Sequence, residues 1–189
     1  MKTVLITGSN GFVGKNLSVT LAQRPDIKVT GFDIHEEPAT LAALVAEADF
    51  IFHLAGVNRP QTPEEFTTGN TGLTETIVAL LQGQGKQTPL LLSSSTQAAQ
   101  ENPYGISKRD AEGAVFAYGR GCGAPVYGTV LLGSQHDRIT RLLPFIEPIL
   151  DVDQAGSGPG MGWILAEDGL PNLSRGDDLS SLEEVLGTL

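Results

Sequence analysis

Tyr104 and Lys108 stand four residues apart in Tyr104-Gly105-Ile106-Ser107-Lys108, shortly after the hydroxyl run Ser93-Ser94-Ser95-Thr96. On a helix the pair shares one face a turn apart, so the ammonium sits beside the phenol. A free tyrosine has a pKa of about 10, too high for easy proton exchange at neutral pH, and a neighbouring cation lowers it. Such a phenol can give a proton to a carbonyl oxygen while hydride arrives from a nicotinamide, with a strand-end serine hydroxyl holding that oxygen. Taken alone, the Tyr-Lys spacing is common, and an amphipathic helix with a solvated lysine is its other reading.

A second chemical feature lies near the start, in Thr7-Gly8-Ser9-Asn10-Gly11-Phe12-Val13-Gly14, between the apolar run Val4-Leu5-Ile6 and a helical stretch from Lys15. A strand turning through glycines into a helix can hold a pyrophosphate on backbone N–H groups and on the positive end of the helix dipole. Gly8 permits the tight turn, Gly11 keeps a Cβ away from the phosphate, and Gly14 lets the first helix pack closely on the sheet. The spacing is GxxGxxG rather than the commoner GxGxxG, and without context a bare turn is the alternative. Context comes from Ile27-Lys28-Val29-Thr30-Gly31-Phe32-Asp33, a second strand ending in a carboxylate 25 residues after Gly8. An acid there can accept both ribose hydroxyls of an adenosine and repel a 2′-phosphate, so Asp33 favours NAD over NADP. A helix cap or turn role for Asp33 is the competing explanation.

These residues need a scaffold that brings strand ends together, and the pattern supplies one. Strands are expected at 49–54, 89–93 and 126–132, and helices at 38–48, 71–83 and 105–118, the last stopping at Gly119. Such alternation specifies an α/β fold, a doubly wound, Rossmann-like parallel sheet with right-handed crossovers. The expected organisation is a dinucleotide-binding domain over residues 1–133 and a reduced extension over 134–189, irregular or helical, packed on it or partly flexible. Within that extension 137–150 and 177–186 read as helices, and Trp163 among glycines as the anchor of a flexible turn.

Composition narrows the function classes. The net charge is −10, with 9 basic and 12 acidic residues in 1–133 and 3 basic and 10 acidic in 134–189. Long-range attraction to nucleic acid or anionic membrane is not expected. No stretch approaches the roughly 20 apolar residues of a membrane span, and no charged, apolar leader opens the chain. The single cysteine, Cys122, cannot form an internal disulfide, which fits a cytoplasmic setting. His35 and His136 lack ligand-spaced partners, so no metal is expected. His53, in an apolar strand, reads as a packed, hydrogen-bonded core histidine.

TGSNGFVG, ADFIFHLAGVNRP, LLSSSTQA and NPYGISK, occurring in that order, resemble the extended short-chain dehydrogenase/reductases, the NAD-dependent epimerase/dehydratase group acting on nucleotide sugars. The wording is most similar to the capsular-polysaccharide reductases of the CapF type, which reduce a 4-keto group of a UDP-linked deoxy amino sugar. The resemblance covers residues 1 to about 118. It implies cofactor contacts at Gly8, Asn10, Gly11, Phe12, Val13 and Gly14, with Asp33 at the adenosine ribose and Leu54, Ala55 and Gly56 passing along the cofactor. It further implies a catalytic set of Ser95, Tyr104 and Lys108, in which Lys108 also binds the nicotinamide ribose; Ser94 and Thr96 are the fallback hydroxyls. Asn70 corresponds to an asparagine near the active site, or to a helix cap, and Arg59 to a contact with cofactor or substrate, or to an exposed loop residue.

Past residue 120 the resemblance fails, since the Arg-Pro-x-Asn type turn and the large substrate domain of the family have no counterpart. The expected function is an NAD(P)-dependent oxidoreductase or epimerase moving hydride at C4 of a nucleotide sugar, with Tyr104 as acid/base. The other expectation is a non-catalytic dinucleotide-binding domain, a sensor or a shortened or engineered derivative. A homodimer through paired helices is a further implication of the resemblance.

Overall fold

Val4, Leu5 and Ile6 are fully buried, because the strand they form lies inside a sheet covered on both faces. That strand is β1 (Lys2–Thr7), followed by α1 (Phe12–Leu21), β2 (Ile27–Phe32), α2 (Pro38–Glu47) and β3 (Phe50–His53). A short helix α3 (Glu64–Phe66), a π-helical turn (Thr67–Gly72) and α4 (Leu73–Gln84) run continuously into one another. Then come β4 (Leu90–Ser94), a 3-10 turn (Thr96–Ala99), α5 (Pro103–Cys122), β5 (Val126–Leu131), β6 (Met161–Ala166) and β7 (Asn172–Ser174). The computed structural model describes residues 1–131, 161–166 and 172–174, the backbone alone for Leu131 and the last two strands.

The strands form one sheet in the order β2-β1-β3-β4-β5-β6-β7. All pairings are parallel except β6 with β7. Alternation along each strand sends side chains to opposite faces. Val4, Ile6, Phe50, Phe52 and Leu91 pack with Leu17 and Leu21 of α1. Leu5, Ile51, Leu90 and Leu92 pack with Leu41 and Val45 of α2, Ile77 and Leu81 of α4, and Val115 of α5. The expected doubly wound, Rossmann-like sheet is therefore present.

Two expectations change. Residues 134–189 are not simply an irregular or helical extension: β6 continues the parallel sheet beside β5, and β7 pairs back on it. Trp163, expected in a flexible turn, lies within β6; a short apolar run behind a glycine-rich stretch gives no periodicity that marks it as a strand. The helices expected at 137–150 and 177–186 fall outside the described residues, as does His136.

Helix α5 also outruns its expected end. Gly119 lies inside it, where a Cβ would come within 2.6 Å of Val126 Cγ2, so the residue permits close helix-to-strand packing. The helix ends at Gly123, whose φ of +77° is the left-handed closing conformation that glycine adopts without strain.

Candidate active site

The register lines up Phe32, Thr7, His53 and Leu92 across β2, β1, β3 and β4. Asp33, Gly8, Leu54 and Ser93 each come one residue later, so the candidate residues emerge together at the carboxyl ends of the strands. In an open parallel sheet that edge, where successive crossovers leave for opposite sides, is where ligands fit. Here the change of direction falls between β1, whose crossover leads to β2, and β3, whose crossover leads to β4.

The glycine turn is built for close approach. Gly8 has a φ of +70°, and a Cβ on it would lie 2.7 Å from the Ala55 nitrogen. A Cβ on Gly14 would come within 2.2 Å of the Gly8 carbonyl oxygen, and one on Gly11 within 3.1 Å of the same atom. Gly14 thus seats the helix on the turn itself. Gly11 is the N-cap of α1 and brings no capping side chain, so the first-turn N–H groups of Phe12, Val13 and Gly14 have no side-chain cap. Phe12 and Asn10 are exposed and Val13 is half-buried. This tight turn, which added Cβ atoms would force apart, with uncapped N–H groups at the start of α1, fits the pyrophosphate of a dinucleotide.

Asp33 follows β2 at the same edge, and its carboxylate is tied to the turn. The Asn10 N–H donates to Oδ2 at 2.7 Å and the Ile34 N–H to Oδ1 at 2.8 Å. The Asp33 N–H donates to the Glu36 carboxylate. The N-cap of α2 is Glu37, so Asp33 is not a helix cap. It is half-buried, with lone pairs left to accept from a hydroxylated ligand.

The loop after β3 is held from below. Ala55 N–H donates to Thr7 Oγ1 at 3.3 Å, and Thr7 Oγ1 lies 2.6 Å from His53 Nδ1. On the other side His53 Nε2 lies 2.8 Å from Thr74 Oγ1, whose hydroxyl donates to the Asn70 carbonyl at 2.7 Å. Because the Thr74 proton is committed to Asn70, Thr74 accepts from Nε2–H, and Nδ1 in turn accepts from Thr7. His53 is fully buried. Burial first, and the Lys108 charge second, pull its pKa down to about 3, so it stays neutral and keeps this direction.

Asn70 is not a cap either. It lies in the π-helical turn and clamps the loop, accepting from Val57 N–H at 2.8 Å and donating to the Val57 carbonyl at 3.0 Å. Its Nδ2 also donates to Ser107 Oγ at 2.9 Å, and Ser107 donates to the Tyr104 carbonyl at 2.8 Å. Gly56 passes so close that a Cβ there would lie 3.0 Å from Lys108 Nζ. Arg59 is exposed.

Helix α5 brings Tyr104 and Lys108 to the serine run. Asn102 caps it, its Oδ1 accepting from Gly105 N–H at 2.8 Å. A Cβ on Gly105 would sit 2.1 Å from the Gln97 carbonyl oxygen, so the first turn of α5 rests directly on the 3-10 turn that Ser95 caps. Ser95 Oγ accepts from Gln97 N–H at 3.2 Å. Tyr104 is half-buried against Phe66, ring centroids 5.4 Å apart. Lys108 Nζ stands 6.0 Å from the Tyr104 ring centre, the outer limit of a cation–π contact.

Lys108 is 5% exposed and donates to the Ser93 carbonyl at 3.0 Å. Burial lowers its pKa to about 8, opposed by the Glu112 carboxylate. One turn on, Glu112 accepts from the Ser94 hydroxyl. Chemically the assembly offers an anion cradle, a hydroxyl-accepting carboxylate, a phenol, a buried amine and a strand-end serine. Thr7, Thr74, Ser107 and Glu112 escaped the sequence reading. The four-residue step from Lys108 to Glu112 is the signal that could have pointed to Glu112. Among the described residues no group of His, Cys, Asp and Glu side chains could hold a metal ion. No helix there is long and apolar enough to cross a membrane.

The family described as the NAD dependent epimerase/dehydratase family matches residues 4–150. A curated relative, the UDP-2-acetamido-2,6-beta-L-arabino-hexul-4-ose reductase of Pseudomonas aeruginosa, is 48% identical over 124 residues, covering 66% of this chain and 33% of the relative. The chain thus spans about a third of that relative's length. The capsular polysaccharide assembling protein CapF from Staphylococcus aureus superposes with a TM-score of 0.66 at 26% identity, over 90% of this chain and 55% of that one. A UDP-glucuronic acid 4-epimerase from Bacillus cereus, solved with UDP-glucuronic acid and NAD, shares the fold at a TM-score of 0.71 and 16% identity, over 98% and 83%. RMD from Pseudomonas aeruginosa, complexed with NADPH, does so at 0.59 and 25% identity, over 69% and 53%.

Proposed function

Since the chain belongs to the NAD-dependent epimerase/dehydratase family, we propose that it forms the dinucleotide-binding and catalytic part of a nucleotide-sugar reductase or epimerase that works at a 4-keto group. The observation that carries this reading is the convergence of Tyr104, Lys108 and the serine run on the strand edge that also bears the glycine cradle. The relative reducing a UDP-linked hexul-4-ose gives the substrate class, a UDP-linked 4-keto deoxy amino sugar. In this reading the dinucleotide-binding domain takes in residues 1–133 together with β6, which extends their sheet.

In this reading Gly8, Asn10, Gly11, Phe12, Val13 and Gly14 hold the pyrophosphate, and Asp33 accepts the adenosine ribose hydroxyls. Its carboxylate disfavours a 2′-phosphate, so the cofactor is NAD rather than NADP. Leu54, Ala55 and Gly56 line the cofactor's path. The bound cofactor supplies the hydride chemistry at the sugar carbon. Ser95 hydrogen-bonds the sugar's carbonyl oxygen and fixes its direction. The Tyr104 hydroxyl delivers a proton to that oxygen, or removes it in the reverse sense. Lys108 holds the nicotinamide ribose, its Nζ standing 6.0 Å from the Tyr104 ring centre.

NADH oxidation measured against a panel of UDP-linked 4-keto sugars, with parent and Tyr104→Phe, tests the proposal. Turnover by the parent that falls at least ~100-fold in Tyr104→Phe, with NADH fluorescence titrations unchanged, is the expected result. Cofactor binding without Tyr104-dependent turnover would instead support the non-catalytic dinucleotide-binding alternative.

A further inference from the structure

Glu112 is a titratable group that the proposed chemistry leaves unused. It is 3% exposed. Its Oε1 accepts from the Ser94 hydroxyl, while Oε2 is buried without a hydrogen-bonding partner among the described residues. A buried carboxyl with one oxygen unsatisfied is costly unless its charge or its proton serves something nearby.

Its surroundings say what that is. Lys108 precedes Glu112 by one helical turn on α5 and donates to the Ser93 carbonyl, so residues 93 and 94 of β4 are gripped by successive turns of the same helix. Those residues lead directly into Ser95. The elements packed against α5 bring little other charge: β4, the 3-10 turn and the π-helical turn carry no charged side chain, β5 only Tyr127, α4 only Glu75, and α3 Glu64 and Glu65. Glu75 and Glu64 are exposed, and Glu65 accepts from Gln61 N–H. Arg109 on α5 adds its charge from the helix's outer side, where it pairs with Glu101 at 2.9 Å, and His53 faces Lys108 in its neutral form.

We propose that Glu112 is a positioning residue of the site: its carboxylate sustains the ammonium form of Lys108 and, through Ser94, fixes the strand end that presents Ser95. The inference deepens the functional reading above and rests on it for the role of Lys108. The electrostatics agree in sign. Burial lifts Glu112 to about 7, against the hydrogen bond from Ser94 and the charges of Lys108 and Arg109. Burial lowers Lys108, and Glu112 is what opposes that fall. Without the carboxylate, Lys108 loses its proton at lower pH.

The test is a 13C NMR titration of the Lys108 ε-carbon, assigned with Lys108→Met, in the parent, Glu112→Gln and Ser94→Ala. Glu112→Gln keeps an oxygen acceptor for Ser94 and removes the charge. It is expected to lower the Lys108 midpoint by about one pH unit, and to move the alkaline limb of kcat/KM the same way, with NADH affinity retained. Ser94→Ala removes a bond that favours the Glu112 anion, so it lowers the Lys108 midpoint by a smaller amount and answers the question should Glu112→Gln fail to fold. An unmoved midpoint in either folded variant overturns the inference. Absence of Tyr104-dependent turnover in the parent overturns the functional reading instead, and leaves the midpoint to decide the role of Glu112.

Discussion

At the scale of single residues, the chain's chemistry divides into groups that a ligand can touch and groups that hold them. Tyr104 and Asp33 are half-buried, whereas His53, Asn70, Lys108 and Glu112 are buried. For Asp33 the expected outcome is specific: Asp33→Ala narrows the preference for NADH over NADPH in fluorescence titrations, and an unchanged preference removes the carboxylate from the ribose. For His53 the sign of the pH dependence follows from its depressed pKa. The unfolded chain takes a proton below about 6.5, while the folded one resists it down to about 3. His53 therefore contributes stability that is present above pH 6.5 and lost as the pH falls toward 3. In urea unfolding, the parent should lose about 3 kcal/mol more than His53→Gln between pH 7 and pH 4. Glu112, raised to about 7, acts in the opposite sense, its contribution fading as the pH rises from 4.5 through 7; comparing the two chains at each pH cancels it.

At the scale of elements, close backbone approach positions the site, and glycines make it feasible. Helix α5 offers an internal comparison. Gly105 rests on the Gln97 carbonyl, while a Cβ on Gly113 would meet nothing within 4 Å. Gly105→Ala should destabilise the protein by about 2 kcal/mol or more and depress turnover further than stability explains, because it pushes Tyr104 from the serine turn. Gly113→Ala should be neutral or stabilising by about 0.5–1 kcal/mol. Both are read in one set of urea melts.

The elements also mark what the sequence could reveal. Strands β1 to β5 and the longer helices α1, α2, α4 and α5 were legible, because apolar runs and turn residues are local signals. That Tyr104 and Lys108 share one helix and approach the serine run was legible from their four-residue spacing, whereas the choice of Ser95 within that run rested on the family resemblance. The π-helical turn was not, nor the role of Asn70 within it, since its bonds to Val57 and Ser107 join residues 13 and 37 positions away. The Thr7-His53-Thr74 chain was hidden for the same reason: its hydroxyls resemble ordinary strand and helix residues until the sheet places them around one imidazole. The end of α5 was misread because Gly119 looks like a stop until the packing of Val126 against it is seen.

At the scale of the whole molecule, four parallel strands deliver a glycine cradle, a carboxylate, a clamped loop and a serine run to one edge, and one helix lays a tyrosine and a lysine across it. Segments 7–14, 33, 54–57, 70–74 and 93–112 are far apart in the chain and meet only there. The family assignment and the 48% identity to a UDP-sugar reductase over 124 residues agree with what that edge can do. The most direct measurement is transfer of label from NADH deuterated at C4 of the nicotinamide to a UDP-linked 4-keto deoxy amino sugar, read by mass spectrometry and NMR. Deuterium at C4 of the sugar with the parent chain, and none above background with Tyr104→Phe under saturating NADH, is the result this account predicts. No transfer by the parent across such sugars at saturating NADH, or equal transfer by Tyr104→Phe, would contradict it.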